Sequence, residues 1–210
     1  MAILPILIYG DSRLRQPARV LTPDEIRSTD IHRLIDDMFE TMESSGGCGL
    51  AAAQVGYPYQ LFIAGLADDV CERIPEARRQ VRGIRPIPQS VFINAIVRDA
   101  SDATDYGSVE GCLSKPGVMG PVIRKSHVTV RSQDQYGATQ IEDRTDWFAC
   151  IIQHEHDHGR GVLYTDHVRP DLLLPISEAR AKYDHLNSQE ILDLIAASSA
   201  PHTLPSGLAP

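Results

Sequence analysis

The sequence predicts an α+β fold: a single domain in which antiparallel strands surround a central buried helix. Short apolar runs separated by turn residues are typical of antiparallel strands. An apolar run over residues 147–152 leads directly into the polar run QHEHDH, which predicts a buried helix whose last turns line a site. The chain has 210 residues, of which 42% are hydrophobic, enough for one core and too few for two.

Two helices are predicted before the C-terminal region. Apolar residues over 29–42 recur with the i, i+3, i+4, i+7 spacing of one helix face. Asp30 is expected to cap this helix, and Gly46 with Gly47 to end it. The buried helix is expected to start at Asp146 and to run through the QHEHDH segment.

Four strands are predicted, over residues 61–64, 91–97, 128–130 and around 140–141. Residues 71–90 separate the first two and contain five arginines and three prolines. Such a composition is ordinary for exposed loops, so a solvated surface insertion is expected. Contact of these arginines with ribosomal RNA is the alternative.

Charge and cysteine content narrow the class of protein. A net charge of -8 and a pI near 5.4 argue against general nucleic-acid binding, which depends on clustered Lys and Arg. The apolar N-terminus MAILPILIYG has no preceding basic region and is too short to span a bilayer, so a cytoplasmic protein without membrane contact is expected. Cys48, Cys71, Cys112 and Cys150 are irregularly spaced, which predicts free thiols or a thiolate ligand.

The segment His154-Glu155-His156-Asp157-His158 contains the pattern H-E-x-x-H. On a helix the outer two histidines are four residues apart, so both imidazoles project from one face toward a single ion. Glu155 follows the first histidine directly and can reach a water held by that ion. His156 points to another side of the helix and is not expected to be a ligand.

Two histidines leave a catalytic metal one protein ligand short, because three protein ligands plus water is the usual arrangement. A metzincin would need a third histidine where Tyr164 stands, which excludes that class. A thermolysin-like endopeptidase would use a Glu from a following helix, and Glu178 lies at a workable distance. The other candidate is Cys112, in the segment EGCLS. A third segment, GCGLAAAQ, has glycines and small residues followed by Gln54, whose amide is suited to hydrogen-bond a developing oxyanion.

Three segments, GCGLAAAQ, EGCLS and QHEHDH, resemble in order and spacing the signature motifs GxGLAAxQ, EGCLS and HExDH of the peptide deformylase family. The resemblance covers about residues 3–168. It implies metal-dependent hydrolysis of the N-formyl group from the N-terminal formylmethionine of nascent proteins, giving formate and a free N-terminal methionine. The implied partners are N-formylmethionyl peptides and nascent chains, with a transient contact to the ribosome.

The resemblance also implies roles for individual residues. One divalent metal is held by Cys112, His154 and His158. Glu155 is the general acid and base, and Gln54 with the backbone N–H of Leu113 stabilises the oxyanion. In deformylases the metal is usually Fe²⁺, and Zn²⁺, Ni²⁺ or Co²⁺ can occupy the site.

Methionine selectivity requires an apolar pocket beside the metal. Residues about one helical turn before His154 are placed to form its wall, namely Trp147, Cys150 and Ile151. Cys48 and Gly49 of the first motif and Ser108 before the second are expected to complete it. Deformylases often carry an Arg seven residues after the ligand Cys; here Met119 either leaves a gap in the peptide-binding surface or simply packs on a loop.

The C-terminal region is expected to be an appendage. Residues 1–186 are predicted to form the deformylase-like catalytic domain, and residues 187–210 a helix with a flexible tail. Asn187 followed by Glu190 resembles a capping box at the start of a helix over residues 188–197. The final stretch SSAPHTLPSGLAP is rich in Pro, Ser and Gly, as loose tails are.

Overall fold

Two antiparallel sheets and seven α-helices form the part of the chain that the structure, a computed structural model, describes, residues 2–197. The predicted tail after residue 197 lies outside the described residues. The strands are β1 Gly49–Ala51, β2 Leu61–Leu66, β3 Ile87–Asp99, β4 Asp105–Cys112, β5 Lys115–Lys125, β6 His127–Gln133, β7 Thr139–Thr145 and β8 Leu174–Pro175. The helices are α1 Pro23–Ile26, α2 Thr29–Ser44, α3 Asp68–Glu72, α4 Glu76–Arg82, α5 Asp146–Gly159, α6 Ile176–Tyr183 and α7 Ser188–Ala197.

The larger sheet has the order β1-β2-β3-β6-β7 and the smaller one β4-β5-β8, with every pair antiparallel. The predicted class, helices combined with antiparallel sheet in a single domain, is confirmed. All four predicted strands lie within β2, β3, β6 and β7. Within residues 2–197, no helix combines the length and the apolar character needed to cross a membrane.

The hairpin of β4 and β5 has no counterpart among the predicted strands. Its first strand reads DYGSVEGC, in which Gly, Asp and Ser weaken the strand propensity. Its pairing with β5 extends from Asp105 opposite Lys125 to Cys112 opposite Lys115. Long-range pairing and packing stabilise this strand, which is why local composition did not reveal it.

Helix α2 has the predicted apolar face, but its cap is not Asp30. The hydroxyl oxygen of Ser28 accepts a hydrogen bond from the N–H of Ile31 at 3.3 Å, so the helix begins two residues before the predicted cap would place it. The predicted end is confirmed: the helix stops at Ser44, and Gly46 takes a left-handed conformation with φ of +69°.

The prediction of a solvated surface insertion over residues 71–90 is confirmed only in part: many of these residues are exposed, but the segment is not a loop throughout and some of it is buried. The region contains the end of α3 and all of α4, and Cys71, Ile84 and Ile87 are buried in an apolar cluster. Arg82 is also buried, and its guanidinium donates to the carbonyl of Tyr183 at 2.5 Å. This segment therefore packs against the rest of the domain, and the bond of Arg82 connects α4 to the end of α6.

Helix α5 begins at Asp146, as predicted, and buries most of its residues from Ala149 onward against strands of both sheets. Asp146 itself has a φ of +53°, and its N–H donates to the carbonyl of Ser126 at 2.6 Å. The left-handed residue turns the chain sharply from β7 into the helix.

Helix α7 packs on β4. The predicted capping box is confirmed, because the N–H of Asn187 donates to Glu190 at 2.7 Å and that of Glu190 donates back to Asn187 at 3.0 Å. Ile191 is completely buried, and the hydroxyl of Ser188 accepts from the N–H of Gly107 at 2.9 Å.

Candidate metal and catalytic site

The end of β4 and the last turns of α5 bring Cys112, His154 and His158 together. One ligand atom of each residue lies within 4.8 Å of the others. Cys112 Sγ is 3.3 Å from His158 Nε2, and the centroids of the two imidazoles are 5.1 Å apart. A thiolate and two imidazoles suit a divalent transition metal. Burial lowers the pKa of His158 well below its ordinary value, which keeps the ring neutral and free to coordinate.

Glu178, the alternative third ligand, is exposed on α6 and is not a member of this group. In the part of the chain that the structure describes, no second group of three His, Cys, Asp or Glu side chains converges in this way. The geometry therefore favours Cys112 over Glu178.

A buried network of charges surrounds His154. Its Nδ1 lies 2.8 Å from Glu110 Oε2, and Arg124 donates to both oxygens of Glu110, at 2.8 Å from Nε and 3.0 Å from Nη2. Arg124 Nη1 also donates to Asp157 Oδ2 at 2.6 Å. Burial alone would raise the pKa of Glu110, but the charge of Arg124 and the bond to His154 hold that pKa at about 2. The carboxylate therefore stays ionised and sets the direction in which the Nδ1 edge of the imidazole points.

Sequence reasoning assigned no role to Glu110, Asp157 or Arg124. The first two stand inside the motifs EGCLS and QHEHDH, so their positions were a signal that could have been used. Arg124 comes from the far end of β5, and no local pattern marks it.

Glu155 is buried beside the three convergent residues and faces Gly49. A Cβ added to Gly49 would lie 2.5 Å from Glu155 Oε1 and 2.8 Å from its Cδ. Within the described residues, Oε2 of this carboxyl has no hydrogen-bond partner. Burial raises the pKa of Glu155 to about 7, close to the value that suits a group that both accepts and returns a proton at neutral pH.

The side-chain amide of Gln54 points at the same place. Its Oε1 accepts from the N–H of Ala51 at 2.8 Å, which fixes the amide, and its Nε2 donates to Ser114 Oγ at 3.2 Å and Cys112 Sγ at 3.5 Å. Leu113 follows Cys112 at the turn between β4 and β5, and its side chain packs against the apolar cluster under α2.

The sequence model of the family described as polypeptide deformylase matches residues 3–172. The chain belongs to this family. Membership makes it a hydrolase that acts on the formyl amide of peptides and removes the N-formyl group from nascent chains.

Individual relatives match most of the chain. Peptide deformylase 1 of Shewanella oneidensis is 39% identical over 170 residues, which is 81% of this chain and 89% of the relative. The peptide deformylase of Leptospira biflexa is 36% identical over 178 residues, or 85% of this chain and 94% of the relative.

Solved structures are similar as well. The crystal structure of a peptide deformylase from Synechococcus elongatus in complex with actinonin has a TM-score of 0.67 at 33% identity, with 91% of each chain covered. The Met-Ala-Ser-bound crystal structure of a class I type b peptide deformylase from Acinetobacter baumannii has a TM-score of 0.70 at 27% identity, covering 80% of this chain and 99% of that one.

The residues predicted to wall the methionine pocket of this deformylase lie in two neighbouring environments. Ile151 is buried in an apolar cluster against which Cys48 and Trp147 pack. Cys150 is buried one turn before His154, and Ser108 lies beside its thiol. Burial raises the pKa of both Cys48 and Cys150 to about 12, so these thiols are neutral and behave as small apolar groups.

A cleft of about 580 Å³ opens beside the first deformylase motif, with Gly47 in its wall. The segment from Gly65 to Asp68 and the start of β3 form much of the remaining wall, whereas Cys112, His154 and His158 do not contribute to it.

Met119 lies elsewhere. It is half-buried against Gly111 and packs with the apolar residues of α7 and Leu174, which favours the hypothesis that it only packs.

Proposed function

We propose that Cys112, His154 and His158 of this deformylase hold one divalent metal ion. The observation that carries the proposal is the convergence of a thiol and two buried imidazoles, whose ligand atoms lie within 4.8 Å of one another. Among the described residues the buried Oε2 of Glu155 lacks a partner, as expected of a carboxyl beside a site that takes up a water. We expect Fe²⁺ as the physiological metal, and Zn²⁺, Ni²⁺ or Co²⁺ fit the same donors.

A divalent ion in this place supplies a Lewis acid that polarises the formyl carbonyl and makes water a better nucleophile. The chain's own residues supply the proton transfer. Glu155 takes a proton from the attacking water and returns it to the nitrogen of the departing methionine, so that formate and a free N-terminus are released. Its pKa of about 7 allows both steps near neutral pH.

Gln54 and the backbone N–H of Leu113 are proposed as the hydrogen-bond donors to the formyl oxygen as negative charge gathers on it. Gln54 Nε2 donates to the hydroxyl of Ser114 and to Cys112 Sγ, so the NH₂ group is directed toward the proposed metal ligands. The bond from the N–H of Ala51 holds the amide oxygen, which leaves only the NH₂ group free to face the substrate.

The methionine side chain is proposed to lie among Cys48, Trp147, Cys150 and Ile151, which form an apolar wall next to the histidines. Gly49, at the edge strand β1, would then pair with the substrate backbone. Its missing side chain leaves room for both the peptide and Glu155.

We make further proposals about the domain organisation of the chain and about where it acts. We infer that α5 is the central element of the catalytic domain, residues 1–186, because its buried face contacts both sheets and carries two of the proposed ligands. Residues 187–210 would be an appendage, although α7 packs closely on β4. The enzyme would act on nascent chains in the cytoplasm. A transient contact with the ribosome could involve Arg85, whose side chain is exposed.

The test is release of formate from formyl-Met-Ala-Ser by anaerobically purified protein, assayed beside an internal peptide. We expect formate release and no endopeptidase cleavage. Two variants distinguish the two candidates for the third ligand. Cys112→Ala should lose tightly bound metal and activity, because a thiolate supplies both a bond and a charge. Glu178→Ala should lose neither. Metal loss confined to Glu178→Ala would overturn the proposed site.

A further inference from the structure

Tyr164 packs on one of the proposed metal ligands, His154. It opens a short 3₁₀ turn, Tyr164–Asp166, a few residues after α5. Its ring is 1% exposed and lies nearly parallel to the imidazole of His154, with the ring centroids 5.9 Å apart and an angle of 27° between the planes. That distance is in the range of stacked aromatic pairs.

The same side chain reaches the strands that carry Cys112. Its hydroxyl donates to the carbonyl of Val118 on β5 at 3.1 Å, and β5 pairs with β4 up to Cys112. Tyr164 forms a small apolar cluster with Val122 and Val168, against which Cys112 packs. One buried side chain therefore connects the helix that supplies the histidines with the hairpin that supplies the thiol.

The bond from His154 Nδ1 to Glu110 sets which way the imidazole points but leaves the ring free to tilt about that bond. A flat ring stacked on the imidazole restricts that tilt, and its anchored hydroxyl keeps it in place. The sequence had shown only that Tyr164 cannot be the third ligand of a metzincin.

We propose that Tyr164 is a positioning residue of the metal site: its ring holds His154 at a fixed angle and at a fixed separation from Cys112. The proposal rests on the metal site put forward above. It requires no contact between Tyr164 and substrate.

The experiment compares two buried tyrosines. Tyr183 is a matched control, since it is 0% exposed and its hydroxyl also donates to a backbone carbonyl, that of Leu172 at 2.9 Å. Its apolar cluster, as far as the described residues show, contains none of the three proposed ligands. Tyr164→Leu and Tyr183→Leu remove the same atoms from comparable surroundings, so a general packing defect affects both.

Each variant is loaded with Co²⁺, and two quantities are recorded: the visible absorption bands of the bound ion and its rate of release to a chelator. Tyr164→Leu should shift the bands and release the ion about 10-fold to 100-fold faster, in line with the loss of metal affinity found when groups that orient metal ligands are removed. Tyr164→Phe keeps the ring and should stay close to the unaltered protein. Tyr183→Leu should keep the original spectrum and release rate.

Equal spectra and release rates in Tyr164→Leu and Tyr183→Leu would overturn the proposal. If Tyr164→Leu does not fold, Tyr164→Met, which retains more side-chain volume, takes its place in the same comparison. Failure of the unaltered protein to bind one equivalent of Co²⁺ would instead refute the metal site itself, so the two proposals fail in different ways.

Discussion

Gly49 and Glu155 are in such close contact that a single methyl group on the glycine would overlap the carboxyl group. The edge strand β1 and the helix α5 meet at this point, and the absence of a side chain at Gly49 is what allows the carboxyl to lie beside the metal-site residues. The position of the proposed proton carrier thus depends on a residue in a different motif.

Gly49→Ala should therefore lower kcat for formyl-Met-Ala-Ser by about 100-fold, the cost typical of displacing a catalytic group by about 1 Å. Gly159→Ala is the control, because a Cβ there meets nothing within 4 Å. That variant should keep its activity and gain about 0.5–1 kcal/mol of stability from replacing Gly in a helix. Steady-state kinetics and thermal unfolding of both variants test this prediction. A Gly49→Ala enzyme with the kcat of the unaltered protein would contradict it.

Glu155→Gln should separate proton transfer from metal binding. The carboxyl is not one of the three convergent ligands, so metal content should remain stoichiometric by elemental analysis. Loss of the proton carrier should reduce kcat by about 10²-fold to 10⁴-fold. Glu178→Gln, an exposed carboxyl on α6, should behave like the unaltered protein. A Glu155→Gln enzyme with nearly normal kcat would show that another group carries the proton.

The raised pKa of Glu155 also predicts how the metal-free protein responds to pH. Its carboxyl has an ordinary pKa of 4.5 in the unfolded chain and about 7 in the folded one, so between these values the folded state binds more protons. Stability is therefore greatest below pH 4.5 with respect to this group and falls as pH rises through 7, by up to about 3 kcal/mol.

Denaturant unfolding of metal-free protein at pH 5 and pH 8 tests this, with Glu155→Gln as the reference that cannot titrate. The unaltered protein should lose stability relative to the variant between the two pH values. Parallel curves would mean that burial does not perturb this carboxyl.

Local sequence patterns predicted the site residues that lie close together along the chain. Two histidines four residues apart on a helix must face the same way, and Glu155 must stand next to one of them. The contribution of Arg124 could not be predicted, because it depends on the register of β5 against β4 and on the packing of α5. The same holds for Tyr164, whose contact with His154 follows from the course of the turn after the helix.

In the fold, too, local patterns predicted some features, and others depend on long-range packing. The apolar period of α2 predicted the helix, yet Ser28 and Asp30 both suit a capping position, and only the structure shows that Ser28 has the geometry to accept from Ile31. The arginines of residues 71–90 suggested solvent, but the long side chain of Arg82 is buried and bonded to a backbone carbonyl of α6. Composition does not reveal whether a charged side chain finds such a partner.

The last prediction concerns the boundary proposed near residue 186. Gly107 on β4 lies directly under α7: a Cβ added there would collide with the carbonyl oxygen of Ser188 and come within 2.7 Å of Ile191 Cβ. Gly107→Ala should therefore displace α7 and cost about 1–3 kcal/mol of stability, as overpacking usually does. Ile191→Ala loosens the same contact by removing apolar surface, at a cost of about 2–5 kcal/mol of stability.

Both variants should be cut more readily by a protease near residue 187, as limited proteolysis followed by mass spectrometry would show. If residues 1–186 carry the catalytic machinery, folded protein of either variant should keep its kcat for formyl-Met-Ala-Ser, because neither Gly107 nor Ile191 touches a proposed ligand. A parallel loss of kcat and of protection from proteolysis would show that α7 supports the position of β4, and with it Cys112, so that the helix belongs to the catalytic domain.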